Sequence, residues 1–154
     1  MPGDMLEQFV RAVTKKHAGD AAEVSRSYAG KMGDATMINL HLSPQRSGAA
    51  TIDVTYDPTD IDQFYLSCGR ATRLEPTARD GRYTSRSGLE ETEGILRAVF
   101  AGQFRETLYL KNGKVVRYTS VLELEGRSVR FLGSAAFANP FRRLEKQEVR
   151  YDRY

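Results

Sequence analysis

Histidine, cysteine and long apolar runs are all in short supply in this chain, and each shortage removes a class of function. The only histidines are His17 and His41, so a histidine-rich metal site is excluded and any imidazole-activated nucleophile is confined to two positions. Cys68 is the single cysteine and cannot form a disulfide within the chain. None is needed, because 154 residues with 40% hydrophobic content can bury a core without covalent staples. No segment approaches the roughly 20 consecutive apolar residues that span a bilayer. Met1 to Val10 also lacks a basic stretch followed by an apolar run. A soluble, cytoplasmic protein with no membrane contact is the expectation. Gly30 and Gly33 flank Lys31-Met32 without the lysine and hydroxyl placement of a phosphate loop. Low-complexity tracts and short-period repeats are absent as well.

Charge is present but uneven. Residues 1–77 carry 8 Lys+Arg against 10 Asp+Glu, whereas residues 78–154 carry 15 against 10, so a net −2 half precedes a net +5 half. An imbalance of this size steers acidic partners, yet it is weaker than that of a dedicated nucleic-acid surface.

The clearest pattern lies between Phe104 and Ser134. Apolar residues alternate through Phe104, Leu108 and Leu110, then Val116, Tyr118, Leu122 and Leu124, then Val129 and Phe131, with breaks at Asn112-Gly113 and Glu125-Gly126. A three-stranded antiparallel meander follows. A two-residue loop at Glu125-Gly126 sets Leu122 opposite Val129 and Ser120 opposite Phe131, matching the apolar faces. The same loop at Asn112-Gly113 would oppose Leu108 to Arg117. The expectation is therefore an odd loop, Lys111-Asn112-Gly113, which places Leu108 against Val116.

Elsewhere, Leu6, Phe9, Val10, Val13 and His17 form one stripe of a helix over Asp4 to His17, with Asp4 and Glu7 spaced as a capping box. Strands are expected at Glu23 to Ala29, Thr36 to Leu42, Thr51 to Tyr56 and Gln63 to Leu74. Pro76 to Arg86, with Asp80-Gly81, reads as a polar loop. A second helix is capped by Ser87 with Glu90, carries Leu89, Leu96, Val99 and Phe100, and stops near Gly102. After Asn139-Pro140, Val149 to Tyr154 reads as an edge strand. The fold class is α+β: residues 1–154 as one domain, a curved antiparallel sheet of about seven or eight strands, and two helices packed on one face. The helix-then-strands order repeats, as two α-β-β-β-β-like halves of a duplication would.

Chemistry is thinly signalled. His17 at a helix end reads as structural, and Cys68 reads as a buried core residue. Asp53, Asp57, Asp60 and Asp62 are close in sequence but lack the glycine and terminal glutamate of a calcium loop, and turn and cap formation accounts for Asp57 and Asp60 without a metal. No cofactor or metal is expected. Glu106 falls on the core parity between Phe104 and Leu108. It sits either at the sheet margin or in a pocket with Tyr118 and Ser120, where it would be the best enzymatic candidate. The opposite face of the meander displays Arg105, Thr107, Tyr109, Arg117, Thr119, Val121 and Arg130. Further basic sets are Arg70, Arg73, Arg79, Arg82 and Arg86, and Arg142, Arg143, Lys146, Arg150 and Arg153 interleaved with Phe141, Tyr151 and Tyr154. With no catalytic constellation, the expected function is a non-catalytic protein binder, a subunit, adaptor, inhibitor or immunity-like protein, acting through an Arg/Tyr-rich surface. The alternative is a small-molecule binder or enzyme whose pocket between helices and sheet uses Glu106, Tyr118, His41 and the arginines. A protein is the expected partner, a small molecule second and nucleic acid third; self-association stays open.

Overall fold

Leu6, Val10 and Val13, spaced by four and three residues, put three fully or nearly buried side chains on one side of the first helix, α1 (Pro2–His17). The computed structural model describes residues 2–76, 82–134 and 143–154. Arg79, Asp80-Gly81, Asn139-Pro140, Phe141, Arg142 and the side chain of Asp62 lie outside the described residues. α1 begins two residues before Asp4, so the expected Asp4/Glu7 capping box does not form and Asp4 lies inside the first turn. Glu7 instead accepts from Arg11 at 2.9 Å and from Arg26 at 3.1 Å, tying the helix to the strand that follows.

A 3-10 turn at Gly19–Ala21 leads into β1 (Ala22–Met32), β2 (Ala35–Pro44), β3 (Ile52–Asp57), β4 (Asp60–Cys68) and β5 (Thr72–Leu74), an antiparallel sheet in sequence order. Alternation decides its inner face. Ile38, Tyr56 and Phe64 align across three strands, as do Leu40, Val54 and Leu66, and Leu42, Ile52 and Cys68. All nine are at most 3% exposed. Each large apolar member contributes about 1.5–3 kcal/mol of burial. The expected strand Gln63 to Leu74 is broken at Gly69, whose positive φ of 65° turns the chain sharply between β4 and β5. Asp57 accepts from the Thr59 backbone and hydroxyl at 2.8 and 2.7 Å, a turn that lowers the Asp57 carboxyl pKa and uses the local acid for geometry.

The second helix, α2 (Arg86–Phe100), is capped by Ser85 rather than Ser87: Ser85 Oγ accepts from Gly88 N at 3.3 Å. Both serines suit the sequence; Gly88 sits against the Tyr83 carbonyl with no room for a side chain. At the other end Gly102 has φ 72°, its N–H donates to Val99 O and that of Gln103 to Ala98 O, closing the helix as a Schellman motif.

The second sheet holds β6 (Phe104–Lys111), β7 (Lys114–Leu124), β8 (Arg127–Ser134) and β9 (Glu145–Arg150), ordered β8-β7-β6-β9. The Glu125-Gly126 hairpin has the expected register, Leu122 opposite Val129 and Ser120 opposite Phe131. The Asn112-Gly113 hairpin does not. Asn112 and Gly113 both have positive φ, 52° and 76°, forming a two-residue loop that pairs Lys111 with Lys114 and Leu110 with Val115. Val116 is then bulged, and beyond it Leu108 faces Tyr118 and Phe104 faces Leu122. The extra residue that the parity demands therefore sits inside the strand, because Asn-Gly favours the tight turn.

The α+β class, antiparallel strands and two helices are as the sequence reads, but the strands number nine among the described residues and divide into sheets of five and four. The halves also differ. The first sheet is a simple meander, whereas β9 returns to pair with β6. Buried Phe104 and Leu122 of the second sheet join one core with α1, α2 and the first sheet. Beyond β9 the chain leaves the sheet. Tyr151 stacks on Phe104 with ring centroids 5.2 Å apart, Asp152 N donates to Gly48 O at 2.9 Å, and Tyr154 N donates to Phe100 O at 2.8 Å. No described helix is long and apolar enough to cross a membrane.

His17 Nε2 and Lys16 Nζ lie 2.8 and 2.9 Å from Glu93 Oε1, joining α1 to α2. The His17 hydrogen bond, then that of Lys16, holds the Glu93 carboxyl below its usual range. Its folded pKa is depressed, so its contribution is complete above the unfolded carboxylate value of about 4.3 and disappears as pH falls through the lower folded value. The stability gap between the wild type and Glu93→Gln, measured by urea titration, is expected to close between about pH 5 and pH 3.

Candidate interaction surface

Glu106 is neither at the sheet margin nor in an open pocket. It is 1% exposed on the inner face of β6, under the turn that joins β4 to β5. Its Oε1 accepts from Arg70 N at 2.7 Å and from the Tyr151 hydroxyl. Its Oε2 accepts from Ala71 N and Thr72 N, each at 2.9 Å, and from Thr72 Oγ1 at 2.7 Å. Tyr118 continues the series, its hydroxyl accepting from Arg73 N at 3.1 Å. Two side chains of the second sheet thus take four successive backbone N–H groups of the first, an anion cradle filled from within the chain. With five donors on it, the carboxylate has no position left for a substrate proton. Gly69 explains why the turn fits: a Cβ there would overlap Glu106 Oε1 and lie 2.5 Å from the Tyr151 hydroxyl.

His41 lies elsewhere, on the outer face of the first sheet. Its Nδ1 is 2.8 Å from Asp53 Oδ1, which also accepts from Asn39 at 2.7 Å, while Asn39 Oδ1 accepts from Thr55 at 3.1 Å. Glu106, Tyr118 and His41 therefore do not converge on one pocket, and the expected grouping of the three is not formed. Cys68 is buried in the core, and burial, then the charges of Glu106 and Asp53, raises its thiol pKa. Such a thiol is a poor nucleophile. Among the described residues no group of three or more histidine, cysteine, aspartate or glutamate side chains is placed to hold a metal ion.

Arg105, Arg117, Tyr109 and Arg130 do come together. Register places Arg150, Arg105, Val121 and Arg130 in one row across all four strands of the second sheet. The next rows hold Glu148, Thr107, Thr119 and Leu132, then Lys146, Tyr109, Arg117 and Ser134. α2 packs against β7 on the other side, and among the described residues no helix lies on this face. It displays five cations, Arg105, Arg117, Arg130, Lys146 and Arg150, against Glu123 and Glu148. Leu132 stands among them 74% exposed. Arg117 lies 4.2 Å over the Tyr109 ring, orienting both. The nearest acids are loosely engaged, Glu123 at 3.8 Å from Arg105 and Glu148 at 3.5 Å from Lys146. Surface pairs of this kind contribute little.

In the sequence Arg150 and Lys146 fall in a separate C-terminal basic set, because nothing local reveals that β9 pairs with β6. Leu132 was readable: the alternation that turns Val129 and Phe131 inward turns Arg130 and Leu132 outward. Comparisons with protein-family models, with curated proteins and with solved structures found no match to this chain.

Proposed function

We propose that this chain is a protein-binding module, a subunit, adaptor or inhibitor-like protein, that docks an acidic surface of another protein on the outer face of its second sheet. The observation that carries this reading is the concentration of five cations around an exposed Leu132 on a sheet face that no described helix covers. Interfaces favour arginine, tyrosine and a central apolar anchor, and arginine forks match carboxylates. Nucleic acid suits the face less. Glu123 and Glu148 would repel a polyanionic backbone, and the Arg117 guanidinium already occupies one face of the Tyr109 ring.

The test is affinity capture from the native cell with the wild type and with the double variant Arg117→Glu/Leu132→Glu, in which both altered residues are exposed. A stoichiometric protein captured by the wild type, released by salt and absent with the variant is the expected result. Identical captured sets with the two chains would remove the reading.

A further inference from the structure

Arg105 and Arg150 are directly opposed on neighbouring antiparallel strands, and Arg130 lies in the same row one strand beyond Val121. Like charges directly opposite each other on a sheet face are destabilising unless an anion lies between them. The described residues supply Arg105 with one acid, Glu123 at 3.8 Å, and that carboxylate is shared with the Ser128 hydroxyl. The two arginines also border a hollow of about 260 Å3 whose lining includes Gln103, Val121 and Glu123. The hollow offers guanidinium and amide donors on its rim and an aliphatic wall at Val121.

We infer that this hollow is a carboxylate subsite, and that the docked partner presents an extended segment carrying acid, aliphatic and acid side chains in that order. The inference rests on the reading of the sheet face as a protein-docking surface. The first carboxylate lies between Arg105 and Arg150, the aliphatic side chain rests on Val121 beside Leu132, and the second carboxylate meets Arg130. Spacing supports an extended segment. Neighbouring strands are about 4.8 Å apart, so the row runs about 7 Å from the midpoint of the Arg105–Arg150 pair to Val121 and about 5 Å more to Arg130. Residues i, i+2 and i+4 of an extended peptide share a side at about 7 Å intervals, which long arginine side chains accommodate. A phosphodiester chain fits less well, since it would carry no aliphatic group to the centre of the row.

The probe is the synthetic peptide acetyl-Glu-Ser-Leu-Ser-Glu-amide, titrated into the 15N-labelled full chain while the arginine side-chain N–H resonances are followed. Arg105, Arg150 and Arg130 are expected to shift saturably, whereas Arg86, whose side chain is 93% exposed on α2, stays still. Replacing both glutamates of the peptide by glutamine, or Arg105 and Arg150 of the protein by glutamine, is expected to weaken binding at least tenfold. Replacing the peptide leucine by serine is expected to weaken it several-fold. Both arginines are exposed, so the double variant retains its core. Equal binding by the glutamine peptide, shifts spread over all arginines, no saturable shift, or tighter binding of a single-stranded oligonucleotide of equal charge would each overturn the subsite. A captured partner lost from Arg117→Glu/Leu132→Glu but accompanied by no peptide binding would sink the subsite alone. Peptide binding at the row without any captured protein would sink the docking reading alone.

Discussion

Replacing Glu106 by glutamine is expected to lower the unfolding free energy by about 3 kcal/mol, although the exchange is nearly isosteric. The carboxylate is buried and accepts from three backbone amides and two hydroxyls. A glutamine turns an NH2 group toward N–H donors on one side, leaving them unsatisfied in a site closed to water. The cost falls on the seam between the sheets, because the amides of residues 70–72 belong to the first and Glu106 to the second. Urea unfolding monitored by circular dichroism provides the check, with Glu148→Gln as the exposed control, expected to change stability by less than about 0.5 kcal/mol. Gly69→Ala is expected to destabilise comparably, since it adds backbone strain at φ 65° to an overlap with the same carboxylate. If Glu106→Gln unfolds at the wild-type urea concentration, the carboxylate does not fasten the two sheets.

The second large effect concerns the last four residues. Changing Tyr151 and Tyr154 together to alanine is expected to cost about 4 kcal/mol, lowering the melting temperature by roughly 8–16 °C for a chain of this size. Tyr151 stacks on Phe104 and donates to Glu106, while Tyr154 packs on Phe100 with centroids 4.8 Å apart and sends its hydroxyl to Ala50 O. The segment therefore ties β6, α2 and the first sheet at once. Burial, then the neighbouring Glu106, raises the Tyr151 hydroxyl pKa, and burial, then the Cys68 and Asp53 charges, raises that of Tyr154. Because the folded values lie above the unfolded value of about 10, stability holds below that pH and falls as pH climbs past it. The double phenylalanine variant keeps most of the packing and is expected to show a shallower alkaline loss of stability. Thermal unfolding from pH 8 to pH 11 would reveal this, and identical alkaline slopes would contradict the assignment.

Much of the architecture was legible because its signals are local. Asn112-Gly113 and Glu125-Gly126 mark hairpins through their backbone preferences, and the apolar alternation of β2, β3, β6 and β7 reports which side is covered. The failures were also physical. Ser85 and Ser87 are both acceptable caps by residue type, and the extended backbone of Ser85, with its Oγ accepting from Gly88 N, identifies the one used. Parity alone selects the three-residue loop at Asn112-Gly113, and the bulge at Val116 lets the tighter two-residue turn satisfy it instead. For the interaction surface, Arg105, Tyr109, Arg117 and Arg130 were found by strand parity, while Arg150 and Lys146 required knowledge of a pairing across some forty intervening residues.

By itself the amino-acid sequence determined which residues alternate, where the chain turns, and hence that a guanidinium-bearing face backs an apolar one, because side-chain direction in a strand depends only on neighbours along the chain. Whether Glu106 would be a catalytic group or a structural anchor was decided by the tertiary fold alone. Its partners are the amides of residues 70–72 and the hydroxyl of Tyr151, more than thirty residues away on either side, and their arrival converts a polar residue on a core parity into the fastener between two sheets.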